Sequence, residues 1–297
     1  MGQLATLETG RAADARQAAN DAQVLAMWLH GRATNTQRAY VREVGAFFDF
    51  VACPLGAVTL GDVQEYADAL VRRGLAPASQ SRALAAVKSL FTFAFRIGAL
   101  PVNVAAVVPL PRLKFTLAER IVSREVVAQV LASEATPRNR ALLRLLYAGG
   151  LRISEAVGLL WRDVVARDEG RVQVTVYGKG DRTRAVLLPS CFSAEFAELR
   201  GDAPDDAPVF VSPRGGALTA GQAYRVVKAA AARGGVPALS PHWLRHCHAS
   251  HAIEGGKSPH VVMSTLGHAS LATTSRYLHA RPDDSSALGL SLPALGL

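Results

Sequence analysis

From Asp21 to about Val108, apolar residues recur at spacings of three and four. That period matches the α-helical turn and gives each segment one face to bury. The region is therefore expected to fold as a compact bundle of about four helices, packed through apolar stripes. Thr34-Asn35-Thr36 forms a capping cluster ahead of TQRAYVREVGAFFDFVA. Thr59 starts LGDVQEYADALVRRG, which ends at Gly74. Ala78-Ser79 opens SQSRALAAVKSLFTFAFRIG, which ends at Gly98. Residues 1–20 read as a polar tail, and 21–108 as a helical domain.

Pro109-Leu110-Pro111-Arg112-Leu113-Lys114 marks the domain boundary, and 109–118 are expected to form an extended linker. Beyond it, a second domain spans 119–280. Helices are expected near Ser123–Ala132 and over Arg138–Ala148, the latter ended by Gly149-Gly150, with another from Ser154. The clear β signal is RVQVTVYGKGDRTRAVLLP, where Val172, Val174 and Val176 alternate with polar residues and GKGD makes a hairpin turn. Thr219 caps a helix AGQAYRVVKAAAARG. The fold class is mainly α with a small β-sheet. The last segment, 281–297, is apolar and is expected to dock, either on its own domain or in trans on a neighbouring subunit.

The formal net charge is +9 and the pI about 9.9, a surplus that favours nucleic acid or an anionic membrane as partner. No apolar run approaches the roughly 20 residues of a membrane helix. The polar N-terminus has no apolar signal segment. Cys53, Cys191 and Cys247 are scattered and form no disulfide framework, which fits a reducing cytoplasm. Basic residues of the first domain (Arg38, Arg42, Arg72, Arg73, Arg82, Lys88 and Arg96) read either as solvated faces or as a DNA-facing surface.

Pro241–His279 holds seven of the chain's eight histidines, with Arg245 set between His242 and His246, and Tyr277 nine residues after His268. Cations and hydrogen-bond donors ahead of a hydroxyl nucleophile suit the holding of a phosphodiester under attack. His242 and Arg245 share a helical face at a spacing of three. His242 and His246 have the spacing of a zinc pair, but position 243 is Trp where a zinc-protease helix carries Glu. His248 and His251 read as packed or surface residues. Arg152 follows two glycines at a helix start, where it either meets phosphate or pairs with Glu155 on a helix surface. Lys179, at the hairpin tip, either enters a groove or stays an exposed turn lysine. Tyr177, near Lys179, is a rival nucleophile. Gly256-Lys257-Ser258 imitates the end of a P-loop, but His251 stands where the earlier glycine is required. No ATP site and no dinucleotide fingerprint are expected, since Thr183 occupies the third glycine position after Gly178 and Gly180.

Taken in order, GLRISEAVGL, YGKGDRTRAVLLP, HWLRHCHASH and LGHASLATTSRYLH resemble the tyrosine recombinase (phage integrase) family, most closely its Xer-type chromosome-dimer resolvases. The four segments span 150–279, and residues 21–108 look like the family's SAM-like core-binding domain. The resemblance implies that Arg152, Lys179, His242, Arg245, His268 and Tyr277 fill the six catalytic positions. Cys247-His248 departs from the family's usual small and aromatic pair.

It further implies a mechanism. Arg152 and Arg245 clamp the scissile phosphate and His268 adds a hydrogen bond. His242 acts as base toward Tyr277, and Lys179 protonates the departing 5′ oxygen. The intermediate is a 3′-phosphotyrosine, and no cofactor or metal is needed. The implied partners are double-stranded DNA and either a homotetramer or a heterotetramer with a paralogous recombinase. Whether a DNA translocase activates the complex stays open. Dimer resolution of chromosomes or plasmids is the expected task, with phage or mobile-element integration as an alternative. A type IB topoisomerase is a rival enzyme, disfavoured by the short chain and the Xer-like spacing of the motifs. A catalytically silent DNA-binding protein is a rival of another class, disfavoured by the intact Arg152, Lys179, Arg245 and Tyr277.

Overall fold

A computed structural model describes residues 18–113, 117–178 and 183–267. The chain divides into two compact units, 1–115 and 116–297. In the first unit four helices carry the described structure: α1 (Asp21–Leu29), α2 (Thr34–Val51), α3 (Leu60–Arg72) and α4 (Pro77–Arg96). The buried positions of α4 include Ala83, Leu84, Val87, Leu90, Phe91 and Ala94, the helical stripe expected from spacings of three and four. Phe47 of α2 is fully buried and meets Tyr66 of α3 edge-on at 5.1 Å and Phe91 of α4 at 6.1 Å. One ring thus locks three helices, at roughly 1.5–3 kcal/mol of burial per large apolar side chain.

The helix ends have local causes. Thr59 accepts a hydrogen bond from the Asp62 amide, and the Asp62 carboxylate accepts one from the Thr59 amide, which is a reciprocal cap. Gly74 and Gly98 take the positive φ values of 69° and 72° expected of terminating residues. Two expectations shift slightly. The cap of α2 is Ala33, which offers no side-chain bond, so Thr34 lies inside the first turn. Pro77, at the first position of α4, starts that helix ahead of Ala78, because proline's fixed φ suits a helix start. Several basic side chains of this unit are engaged locally: Arg42 and Arg82 flank Glu43, Arg72 meets Glu65, and Lys88 donates to the carbonyls of Ala106 and Val108.

In the second unit, α5 (Arg124–Ala132), α6 (Pro137–Ala148) and α7 (Ile153–Val157) precede a sheet of β1 (Val164–Ala166), β2 (Val172–Tyr177) and β3 (Thr183–Leu188). Then come α8 (Cys191–Arg200), α9 (Ala220–Arg233), α10 (Pro241–Glu254) and α11 (Pro259–Leu266). The sheet is antiparallel in the order β1-β2-β3, with Val174 opposite Val186 and Tyr177 opposite Thr183. The hairpin appears as its alternation foretells. The edge strand β1 is an addition: its three residues are too short to show a period. Val172, Val174, Val176, Val186 and Leu188 point into a core shared with Leu142, Leu143, Leu145 and Leu146 of α6 and Leu244 of α10. A smaller cluster of Leu117, Ile121, Ala249, Val262 and Leu266 seats α11 on α10. No described helix is long and apolar enough to cross a membrane.

Replacing Thr59 with Ala should remove the α3 cap and lower stability by about 1 kcal/mol in urea denaturation, whereas Thr59→Ser should change it by only a few tenths. Equal midpoints for the wild type and Thr59→Ala would contradict the capping account.

Candidate active site

Arg152 is the N-cap residue of α7, a helix of only five residues, so its own guanidinium rather than a helix dipole supplies the charge there. Its amide donates to Glu155 Oε2 and its Nη1 to Glu155 Oε1, both at 2.8 Å. The expected pairing with Glu155 is present but is not a surface pair: the Glu155 side chain is 5% exposed and that of Arg152 40%. Glu155 also receives Arg184 of β3, Nη2 to Oε2 at 2.8 Å and Nη1 to Oε1 at 3.1 Å. Burial pushes the Glu155 carboxyl up, and the hydrogen bonds from Arg184 and Arg152 more than reverse this, holding it at about 2. One buried carboxylate thereby aims Arg152, leaving part of that guanidinium toward solvent.

Arg245 projects from α10 and is buried. Its Nη1 donates to the Gly150 carbonyl and its Nη2 to the Leu266 carbonyl, both at 2.5 Å. Gly150 lies two residues before Arg152, so this bond brings the two arginine-bearing segments together. Only glycine suits position 150: φ is +59°, and a Cβ would stand 2.6 Å from Leu266 Cδ2 and 2.8 Å from the His248 ring. The Cys247-His248 departure is thus accommodated by packing, with Cys247 fully buried and His248 against Gly150.

His242 is exposed near the start of α10, three residues from Arg245. Desolvation lowers its pKa below the ordinary 6.5, and the positive fields of Arg245, Arg152 and Arg120 lower it further. His246 is pushed down to about 4, by burial first and then by His242, Arg120 and Arg245. Both shifts favour the uncharged form of the ring. The charges of three guanidinium groups from three separate segments bear on the His242 ring. Such a site attracts an anion, and an arriving anion relieves the mutual repulsion.

Of the six residues singled out, the structure gathers Arg152, His242 and Arg245 at one place. Lys179, His268 and Tyr277 lie outside the described residues, as does the segment 281–297. Tyr177, the rival nucleophile, ends β2 opposite Thr183 and is 63% exposed. Among the described residues no group of three His, Cys, Asp or Glu side chains is arranged to hold a metal ion. Two further residues belong to the site, Arg120 and Arg184. Arg120 ends a 3₁₀ turn before α5 and carries no sequence signal. Arg184 does carry one. It shares strand parity with the buried Val186 and Leu188, and an arginine on the apolar face of a strand calls for a buried partner.

The chain is also similar to proteins of known family. A model described as the phage integrase family matches residues 120–283, and one described as the phage integrase N-terminal SAM-like domain matches 27–98. A tyrosine recombinase XerC of Rhodospirillum centenum is 34% identical over 274 residues, covering 84% of this chain and 80% of that protein. A tyrosine recombinase XerD of Mycobacterium tuberculosis is 36% identical over 277 residues, covering 83% of this chain and 88% of that one. A lambda integrase tetramer bound to a Holliday junction has the same fold, with a TM-score of 0.73 at 17% identity, over 91% of this chain and 80% of that chain.

Substituting Arg152 by Gln removes one of the charges that oppose protonation of His242, so the His242 pKa should rise toward its ordinary value. Histidine Hε1 titration by NMR reads this directly. An unchanged or lowered value would show that Arg152 does not face that ring.

Proposed function

The chain belongs to the phage integrase family and is a site-specific tyrosine recombinase, an enzyme that breaks and rejoins DNA, and we propose that it works as an Xer-type resolvase of chromosome or plasmid dimers. In this reading the helical domain at 21–108 and the catalytic domain at 119–280, joined by the 109–118 linker, both bind double-stranded DNA. Phosphate contacts to the basic surface give salt-dependent affinity.

The chemistry runs through six side chains. The Tyr277 hydroxyl attacks the scissile phosphorus in line with the 5′ oxygen. A new phosphorus–oxygen bond forms to the tyrosine, and the bond to the 5′ oxygen breaks. His242 takes the phenolic proton, and Lys179 gives a proton to the departing 5′ oxygen. An unassisted tyrosine, with a pKa near 10, is a poor nucleophile at neutral pH, so a base beside it is required. Arg152 and Arg245 neutralise charge on the non-bridging oxygens and His268 donates a further hydrogen bond. The 3′-phosphotyrosine conserves the bond energy. Attack by a 5′ hydroxyl of another strand reverses the steps, and neither ATP nor a metal ion is consumed.

The observation that carries this reading is the meeting of Arg152, Arg245 and His242, with the His242 pKa lowered, the direction that favours the uncharged form. A base for Tyr277 must be unprotonated at working pH, and desolvation, followed by the fields of the two guanidinium groups that suit the phosphate, shifts His242 in that direction. Exchange between two duplexes requires four cuts, hence four protomers on DNA, either identical or shared with a paralogue. The tail at 281–297 is the segment we assign to docking on the neighbouring subunit. Such an enzyme acts in the cytoplasm, where bacterial chromosomes and plasmids lie.

Sheared genomic DNA of the source organism should yield a denaturant-resistant protein–DNA adduct, and a nicked duplex carrying the captured site should trap it. Tyr277→Phe should form none, and Arg245→Gln should cleave about 10²–10³-fold more slowly, the loss expected for one transition-state donor. An adduct formed undiminished by Tyr277→Phe would overturn the assignment. Relaxation of supercoiled DNA by isolated monomers would point instead to a topoisomerase.

A further inference from the structure

Arg184 is outside the six side chains assigned to the chemistry, yet it ties together the segments that carry several of them. It stands on β3, the strand that leaves the hairpin containing Lys179. Its Nη1 and Nη2 form a bidentate pair with Glu155, the carboxylate that also holds Arg152. Its Nε donates to the Thr265 carbonyl at 2.7 Å, in the last turn of α11. Gly267, which precedes His268, turns directly over this side chain. Its φ is +64°, and a Cβ there would stand 3.1 Å from Arg184 Cδ and 3.2 Å from Nη1. The Arg184 side chain is only 11% exposed.

We propose that Arg184 is a positioning residue for strand cleavage, one guanidinium that joins the β2–β3 hairpin, the Glu155 carboxylate and the end of α11 in a single frame. The inference rests on the proposed function, since the frame matters only if those segments deliver Arg152, Lys179 and His268 to one phosphate. Three bonds to two partners explain why the residue is arginine. A planar fork with five donors bridges two carboxylate oxygens and a carbonyl at once, whereas a lysine ammonium has one nitrogen and no fixed plane. Arg245 completes the frame by holding the adjacent carbonyl of Leu266 and that of Gly150. The two arginines thus anchor consecutive carbonyls, those of residues 265 and 266, immediately before the turn at Gly267.

A buried ion pair that served stability alone would leave chemistry untouched in the folded fraction. A positioning role predicts the reverse, because a displacement of about 1 Å at a catalytic group costs on the order of 100-fold in rate. The test uses the full chain and the nicked duplex carrying the captured site. Single-turnover cleavage is measured at saturating protein for the wild type, Arg184→Gln and Arg184→Lys. Far-UV circular dichroism confirms folding and gel shift reports affinity. Arg184→Lys, which keeps the charge, guards against a variant that simply unfolds.

The folded variants should bind DNA as the wild type does and cleave about 100-fold more slowly. Combined with Arg152→Ala, Arg184→Gln should add less loss than it causes alone, because part of its effect acts through Arg152. Folded variants that cleave at the wild-type rate would overturn the inference, and so would losses that multiply in the double variant. A wild-type protein that captures no DNA would overturn the proposed function instead, so the two failures are distinguishable.

Discussion

The buried carboxylate of Glu155, gripped by Arg152 and Arg184, is the interaction on which the site depends. Removing a carboxylate from water is costly, and a buried ion pair seldom adds much net stability over an apolar replacement. Here the hydrogen bonds from both arginines hold the carboxyl at about 2, against an ordinary value of 4.5. The stabilisation is therefore fully present above pH 4.5 and is lost as the pH falls through about 2. Its structural effect is orientation. With one oxygen of the carboxylate bonded to the Arg152 guanidinium and the other to the Arg152 amide, that guanidinium has a fixed place beside α10.

The same economy governs α10. Arg245 is fixed by backbone carbonyls at Gly150 and Leu266, so its direction is set by the main chain of two other segments. Desolvation lowers the His242 pKa, and the charge of Arg245, with those of Arg152 and Arg120, lowers it further. In the proposed mechanism this couples substrate binding to base chemistry. The cations assigned to the phosphodiester also disfavour the charged form of the neighbouring imidazole, in an environment organised before the substrate arrives. A transferable phosphoryl bond then needs no external energy source, because cleavage and rejoining are the same exchange run in opposite directions.

Much of this was legible in the chain. The helix starts at Thr59, Ser123 and Thr219 follow from side-chain capping, a local interaction that sequence states directly. The hairpin followed from the alternation of Val172, Val174 and Val176. The gathering of Arg152, His242 and Arg245 was expected from the resemblance of motifs far apart in sequence. The 3.6-residue period predicts only the shared face of His242 and Arg245. Strand β1 was not legible because three residues cannot display a period, and α8 (Cys191–Arg200) was passed over. The burial of Glu155 and the role of Arg184 are tertiary facts: the two residues lie 29 apart in the chain. Parity with Val186 and Leu188 was the one clue to Arg184. Arg120 offered none, since its nearness to His242 and His246 arises from the docking of a 3₁₀ turn on α10.

The most direct measurement is a structure of the Tyr277→Phe variant bound to duplex DNA that contains its captured site. The account predicts the guanidinium groups of Arg152 and Arg245 within about 3 Å of the non-bridging oxygens of a single phosphate, with the ring at position 277 facing that phosphorus. Guanidinium groups turned to different phosphates, or a ring from neither this subunit nor its neighbour at the phosphorus, would contradict it.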